Sequence, residues 1–110
     1  MKAIIQIIVI VVMVENKSMK KIKVWNMTSR NGNDIANQFV IRDLENNCSY
    51  FQSYESIIAK IDSDNNIFLD EEYWNYSNTT SKYRNMFLNM DTQTIKQAIK
   101  QGTIKLVNLN

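Results

Sequence analysis

Histidine and proline are absent from this 110-residue chain, glycine occurs twice and cysteine once. Each shortage excludes a class of chemistry. Without histidine the chain lacks the commonest general acid–base and the commonest metal ligand. With a single cysteine, a zinc site would need carboxylates almost alone, which makes a metal centre unexpected. Gly32 and Gly102 stand far apart, so no glycine-rich loop exists to cradle a phosphate or a dinucleotide. Cys48 has no partner within the chain. It reads as a small apolar strand residue in a reducing compartment. The length suits one domain that buries roughly two-thirds of its unfolded surface, enough for a core without disulfide staples.

What is present is unevenly distributed. The net charge is +2. From Lys17 to Arg42 only Asp34 opposes six cations, from Asp43 to Glu72 only Lys60 opposes eight carboxylates, and from Lys82 to Lys105 the balance is basic again. Ala3 to Val14 is apolar except for Gln6. As a helix these residues would span about 18 Å, against roughly 30 Å for a bilayer core. Glu15-Asn16-Lys17-Ser18 makes a poor signal-cleavage region. Val14-Glu15 can be encoded by codons that contain a ribosome-binding GGAG. Met19 follows at initiation spacing and leads straight into Lys20-Lys21-Ile22-Lys23-Val24. The expectation is an apolar leader over 1–18, translation starting at Met19, and a single domain over 19–110. A membrane contact is expected only if residues 3–14 are translated and inserted.

The remaining pattern predicts a small α+β domain. Strands are expected over Lys20–Met27, Gln38–Asp43 and Cys48–Gln52, the last two joined by a turn at Leu44-Glu45-Asn46-Asn47. Tyr54, Ile57, Ile58 and Ile61 recur at helical spacing, so a helix over 54–61 capped by Ser53 is predicted. A polar turn over 62–66 and a short strand at Ile67–Leu69 follow. Thr79 or Thr80 is expected to cap a helix that reaches about Met90, with Tyr83, Met86, Phe87 and Met90 inward. Asp91 should cap the next helix, with Ile95, Ala98 and Ile99 inward, and Gly102 should stand just past its end. Thr103–Leu109 is the last strand. The predicted order is β-β-β-α-β-α-α-β, an antiparallel sheet with about three helices packed on one face.

Few constellations carry chemistry. Asp62-Ser63-Asp64-Asn65-Asn66 opens like a calcium loop, but Ile67 and Tyr73 stand where glycine and glutamate belong. Asp70, Glu71 and Glu72 are adjacent and therefore splay rather than converge. The mix of aromatic and basic residues is the better candidate. Lys21, Lys23 and Trp25 alternate onto one face of a strand, and Tyr50 and Phe51 occupy another. Cations and aromatics on a sheet can hold phosphates and stack bases. Tyr73 and Trp74 lie in an aromatic segment. If Thr80 caps a helix, its free N–H groups with Lys82 and Arg84 could receive an anion. The candidate binding residues are thus Lys21, Lys23, Trp25, Tyr73, Trp74, Lys82 and Arg84. No catalytic residue, metal ligand or cofactor is assigned.

At Tyr50-Phe51-Gln52-Ser53-Tyr54, at Thr79 to Leu88, and at Leu106-Val107-Asn108-Leu109-Asn110, the chain resembles small phage-encoded domains of unknown function from low-GC bacteria. The likeness runs from about Phe39 to Asn110. It implies an uncharacterised phage or prophage accessory protein in the host cytoplasm and carries no functional residue with it. The sequence therefore leads to a non-catalytic module that binds a host or phage protein, for example as an inhibitor, since small inhibitors commonly dock by complementary charge. The alternative is a small protein that binds single-stranded nucleic acid.

Overall fold

The computed structural model describes residues 21–110, and the leader expected over 1–18 and the start expected at Met19 lie outside them. Six strands form one sheet in sequence order: β1 (Ile22–Thr28), β2 (Asp34–Asp43), β3 (Cys48–Ser53), β4 (Ser56–Ile61), β5 (Ile67–Asp70) and β6 (Ile104–Val107). Between β5 and β6 come two helices, α1 (Asn78–Leu88) and α2 (Thr92–Gln101). The first five strands pair antiparallel, and β6 pairs parallel to β5. The sheet is therefore mixed rather than antiparallel, and the order is β-β-β-β-β-α-α-β. A parallel neighbour needs a crossover long enough to return the chain to the same end of the sheet. The turn after β5 and the two helices supply it.

The predicted helix over 54–61 is instead the second arm of a hairpin. Ser53 pairs with Ser56 across the two-residue turn Tyr54-Glu55, and Tyr54 takes a left-handed backbone at φ 55. The reason for the misreading is a bulge. Phe51 pairs with Ala59 and Gln52 with Ile57, which leaves Ile58 as an extra residue on β4. A bulge turns successive side chains to one side. Ile58 and Ala59 are both fully buried, and Ile61 packs against the same core. The broken alternation mimics a helical stripe, while the β-branched residues of Ser56-Ile57-Ile58-Ala59-Lys60-Ile61 favour the strand.

Side chains alternate across a strand, and cross-strand partners share a face. One face carries the row Trp25, Val40, Phe51, Ala59, Leu69, Leu106 and the row Lys23, Arg42, Ser49, Ile61, Ile67, Ile104. Both helices pack on this face. Phe87 stacks on Phe51 at 5.9 Å, and Leu88 and Ile95 join Phe51, Ile58, Leu69 and Ile104 in the core. The other face carries the row Val24, Ile41, Tyr50, Lys60, Phe68, Lys105.

Local signals fix the helix ends. Ser77, not Thr79 or Thr80, caps α1 by accepting from Thr80 N. Asp91 caps α2 by accepting from Thr94 N, and Gly102 closes it at φ 82. The most buried line of α1 is Thr80, Arg84 and Leu88, whereas Met86, expected inward, is exposed. The Tyr54 turn yields a first test. Asparagine visits left-handed backbone more readily than tyrosine, and Tyr54 is half exposed. Tyr54→Asn should raise stability in urea by about 0.5–1 kcal/mol, and a loss would count against the turn.

Candidate functional site

The seven candidate residues fall into three places. Trp74 and Arg84 meet where the turn after β5 crosses α1, and Tyr73 precedes Trp74 in that turn. Arg84 is fully buried. A guanidinium has five N–H donors, and here each has a neutral acceptor. Nε and Nη2 donate to Asn85 Oδ1 at 3.1 and 2.9 Å, Nη1 donates to Trp74 O and to Asn75 Oδ1, and Nη2 also reaches Thr92 Oγ1 at 3.1 Å. The Trp74 ring lies 5.4 Å from the guanidinium carbon. No carboxylate is among these partners, and burial lowers the Arg84 pKa. Asn85 also donates to Thr92 Oγ1, so one network ties α1 to the first turn of α2 and to the 74–75 backbone. Tyr73 packs against the core and meets Tyr76 edge-on at 5.7 Å. These residues are occupied in holding the fold, and Arg84 has no N–H left for a ligand.

Removing Arg84 strands several part-buried acceptors and leaves a cavity where a fully buried side chain stood. Arg84→Ala should cost about 3 kcal/mol or more of unfolding free energy. Arg84→Lys, with three donors in place of five, should recover less than half of that loss. A denaturant midpoint for each variant decides it, and a loss under about 1 kcal/mol for the alanine variant would refute the network.

Asp70, a buried carboxylate at the end of β5, does parallel work. Oδ2 accepts from Glu72 N and Tyr73 N, which bends the chain into the turn, and Oδ1 accepts from Leu109 N, which fastens the C-terminal residues. Burial opposes its ionisation. The N–H groups of Leu109, Tyr73 and Glu72 and the side chain of Asn110 outweigh that and hold its pKa below the ordinary 3.8. Because the folded value is depressed, the stabilisation is complete above the unfolded value and disappears as pH falls through the folded one. Asp70→Asn should therefore cost about 1–3 kcal/mol near neutrality. It should also flatten the fall in stability below about pH 4, as read from urea midpoints across pH. An unchanged acid limb would contradict the assignment.

Lys82 stands elsewhere. It is exposed on α1 and lines, with Ser29, Arg30, Ile35, Tyr83 and Met86, a cleft of about 430 Å³ between the helix and the β1–β2 turn. Its ammonium sits 5.4 Å from the Tyr83 ring centroid.

Lys21, Lys23 and Trp25 form the third group, at the edge of the sheet. Lys21 immediately precedes β1 and its carbonyl accepts from Leu44 N at 2.9 Å. That bond sets the phase of the ladder. In an antiparallel pair, residues bonded to the neighbour alternate with residues whose backbone points away. Lys21, Lys23 and Trp25 thus bond inward to β2, and the N–H and C=O groups of Ile22, Val24 and Asn26 point outward. Ile22, Val24 and Trp25 are 54%, 59% and 49% exposed. Lys23 stands opposite Arg42, whose Nη1 donates to Ser49 Oγ at 2.9 Å and whose Nη2 donates to Asn47 Oδ1.

Of the other face of the sheet, the sequence pointed only to Tyr50. Tyr50, Lys60, Phe68 and Lys105 line up on four adjacent strands, and the Lys60 ammonium lies 5.6 Å from the Tyr50 centroid and 5.9 Å from that of Phe68. Among the described residues no helix covers this row. Only strand register brings the four together, so no local signal could have shown them as a group.

Among the described residues no three His, Cys, Asp or Glu side chains come together in a way that could hold a metal ion, and no helix is long and apolar enough to cross a membrane. Cys48 is a buried free thiol that contacts Asn46 O. Asp62 folds its own loop, accepting from Asp64 N and Asn66 N. The fold and these placements define a small two-layer α+β domain whose buried polar groups are structural and whose features left unpaired among the described residues lie on its sheet. The chain belongs to a family of unknown function, DUF8033, whose model matches residues 22–103. No curated protein and no solved structure matches the chain.

Proposed function

We propose that this protein is a non-catalytic protein-binding module that presents the β1 edge of its sheet to a host or phage protein. The observation that carries this is the β1 edge, which has no neighbour among the described residues, where Ile22 and Val24 turn backbone groups outward and Ile22, Val24 and Trp25 are exposed. A long edge strand with free backbone groups is a ready template for another strand, and exposed apolar side chains beside it mark a contact surface. The structural occupation of Arg84 and Asp70 supports a role without catalysis. The resemblance over residues 39–110 supports a phage or prophage accessory role in the host cytoplasm, with inhibition of a host protein as one form of it.

A second reading, binding of single-stranded nucleic acid, is favoured by the row Tyr50–Lys60–Phe68–Lys105, where rings and ammonium groups alternate. Base stacking and phosphate pairing both fit such a row. Amide hydrogen exchange separates the two. With a partner bound, the amides of Ile22, Val24 and Asn26 should slow markedly. Salt-sensitive binding of oligo-dT at low ionic strength, lost in Lys60→Glu and accompanied by no change at β1, would replace the first reading with the second.

A further inference from the structure

We infer that the β1 edge takes an extended, acidic–apolar alternating segment of the partner, added to the sheet as a seventh strand. The inference rests on the reading of β1 as the binding edge and specifies what occupies it. An added strand would bond to the outward N–H and C=O groups of Ile22, Val24 and Asn26, and its side chains would alternate between the two faces of the sheet. The two faces at this edge differ in chemistry. On the helix-bearing face it meets Lys21, Lys23 and Trp25, with Arg42 one strand behind Lys23, and the rows Lys23–Arg42–Ser49 and Trp25–Val40–Phe51 contain no carboxylate. On the opposite face it meets Ile22 and Val24, both more than half exposed, with Ile41 beside Val24 and the Asp43 carboxylate, engaged by Asn46, beside Ile22. Complementary charge on one face and apolar contact on the other call for Asp or Glu at every second position and an apolar residue between.

The same charge argues against a second copy of this chain as occupant. Antiparallel self-pairing about Val24 would set Lys23 opposite the partner copy's Trp25. It would also gather two copies of Lys21, Lys23 and Arg42 on one face with no counter-charge. Lysines at an edge are a known deterrent to such pairing. An acidic strand turns that deterrent into selectivity, since unlike charges attract and like charges across a contact are penalised.

The test titrates the full chain with two blocked octapeptides, one alternating Val and Glu and one alternating Val and Lys, while Trp25 emission and the β1 amides are followed. Trp25→Phe leaves Trp74 as the only emitter, so a peptide-dependent emission change that persists in it does not come from β1. The Val–Glu peptide should bind at least about tenfold tighter than the Val–Lys peptide, a difference of roughly 1.4 kcal/mol. It should also protect Ile22, Val24 and Asn26 and weaken as salt rises. Lys23→Glu, which alters only an exposed side chain, should reverse the preference. Val24→Pro deletes an outward N–H at a position where an edge strand tolerates proline, and should weaken the Val–Glu peptide by about tenfold without changing the urea midpoint. Equal binding of the two peptides, or self-association through β1 with neither peptide bound, overturns the inference. So does oligo-dT displacing the Val–Glu peptide from β1. If a purified partner protects β1 while neither peptide does, the acidic–apolar occupant falls and the binding edge stands.

Discussion

A full positive charge buried without a counter-ion must be surrounded by dipoles, and that requirement organises the helical layer of this protein. The guanidinium of Arg84 gathers acceptors from three parts of the chain: the 74–75 segment of the turn, its own helix through Asn85, and the start of α2 through Thr92. Each acceptor must be held in place, so the charge sets the angle at which α2 leaves α1 and the path by which the turn approaches them. The surrounding apolar residues could pack in several ways. A planar fork with five donors accepts far fewer arrangements, because any unpaired donor would bear the cost of burial. Ser53 and Thr80, buried and 3.0 Å apart, extend the same logic to the sheet by fastening β3 to the first turn of α1.

Asp70 complements this from below. It closes β5, starts the turn that carries Trp74 and Asn75 to Arg84, and holds the tail that follows β6. The tail then repairs a gap at the neighbouring strand. β4 outruns β5, since their pairing begins only at Ala59. Asn110 supplies the missing strand locally, its side chain accepting from Ile57 N and donating to Ile57 O. The parallel placement of β6 thus depends on one carboxylate and one terminal amide as much as on apolar packing.

Much of the strand framework was legible in the sequence, because its signals are local. The Asn-rich turn between β2 and β3, the Asp91 cap, Gly102 after α2 and the short strand at Ile67 all announce themselves within a few residues. Two kinds of feature did not. The bulge at Ile58 breaks the period of two on which strand recognition rests, so Tyr54, Ile57, Ile58 and Ile61 imitate a helix. The role of Arg84 was hidden for a different reason. A charged residue on a helix is ordinarily outward, and its burial depends on acceptors ten positions upstream and eight downstream, which no local window contains. Of the candidate residues, Lys23 and Trp25 do share a face as alternation implied, while Lys82 and Arg84, two positions apart, end on different sides of α1.

Register also reverses the meaning of the acidic middle segment. In sequence it looks like a block that would repel a polyanion or seek a basic partner. In the fold its carboxylates lie in the loops or at strand ends, and several are already engaged. The side chain and backbone of Asn46, with the Glu45 N–H, hold the Asp43 carboxyl below its ordinary pKa, and the Asn66 and Asp64 backbones do the same for Asp62. These acids shape turns. The cations Lys23, Arg42, Lys60 and Lys105 stand within strands instead. The cations divide by face, with Lys23 and Arg42 beside the edge that is unpaired among the described residues and Lys60 and Lys105 among the rings of the opposite face. A ligand that met both pairs at once would have to wrap the edge of the sheet. One that selects between them can do so by geometry alone, an extended strand at the edge or a row of planar groups across the face.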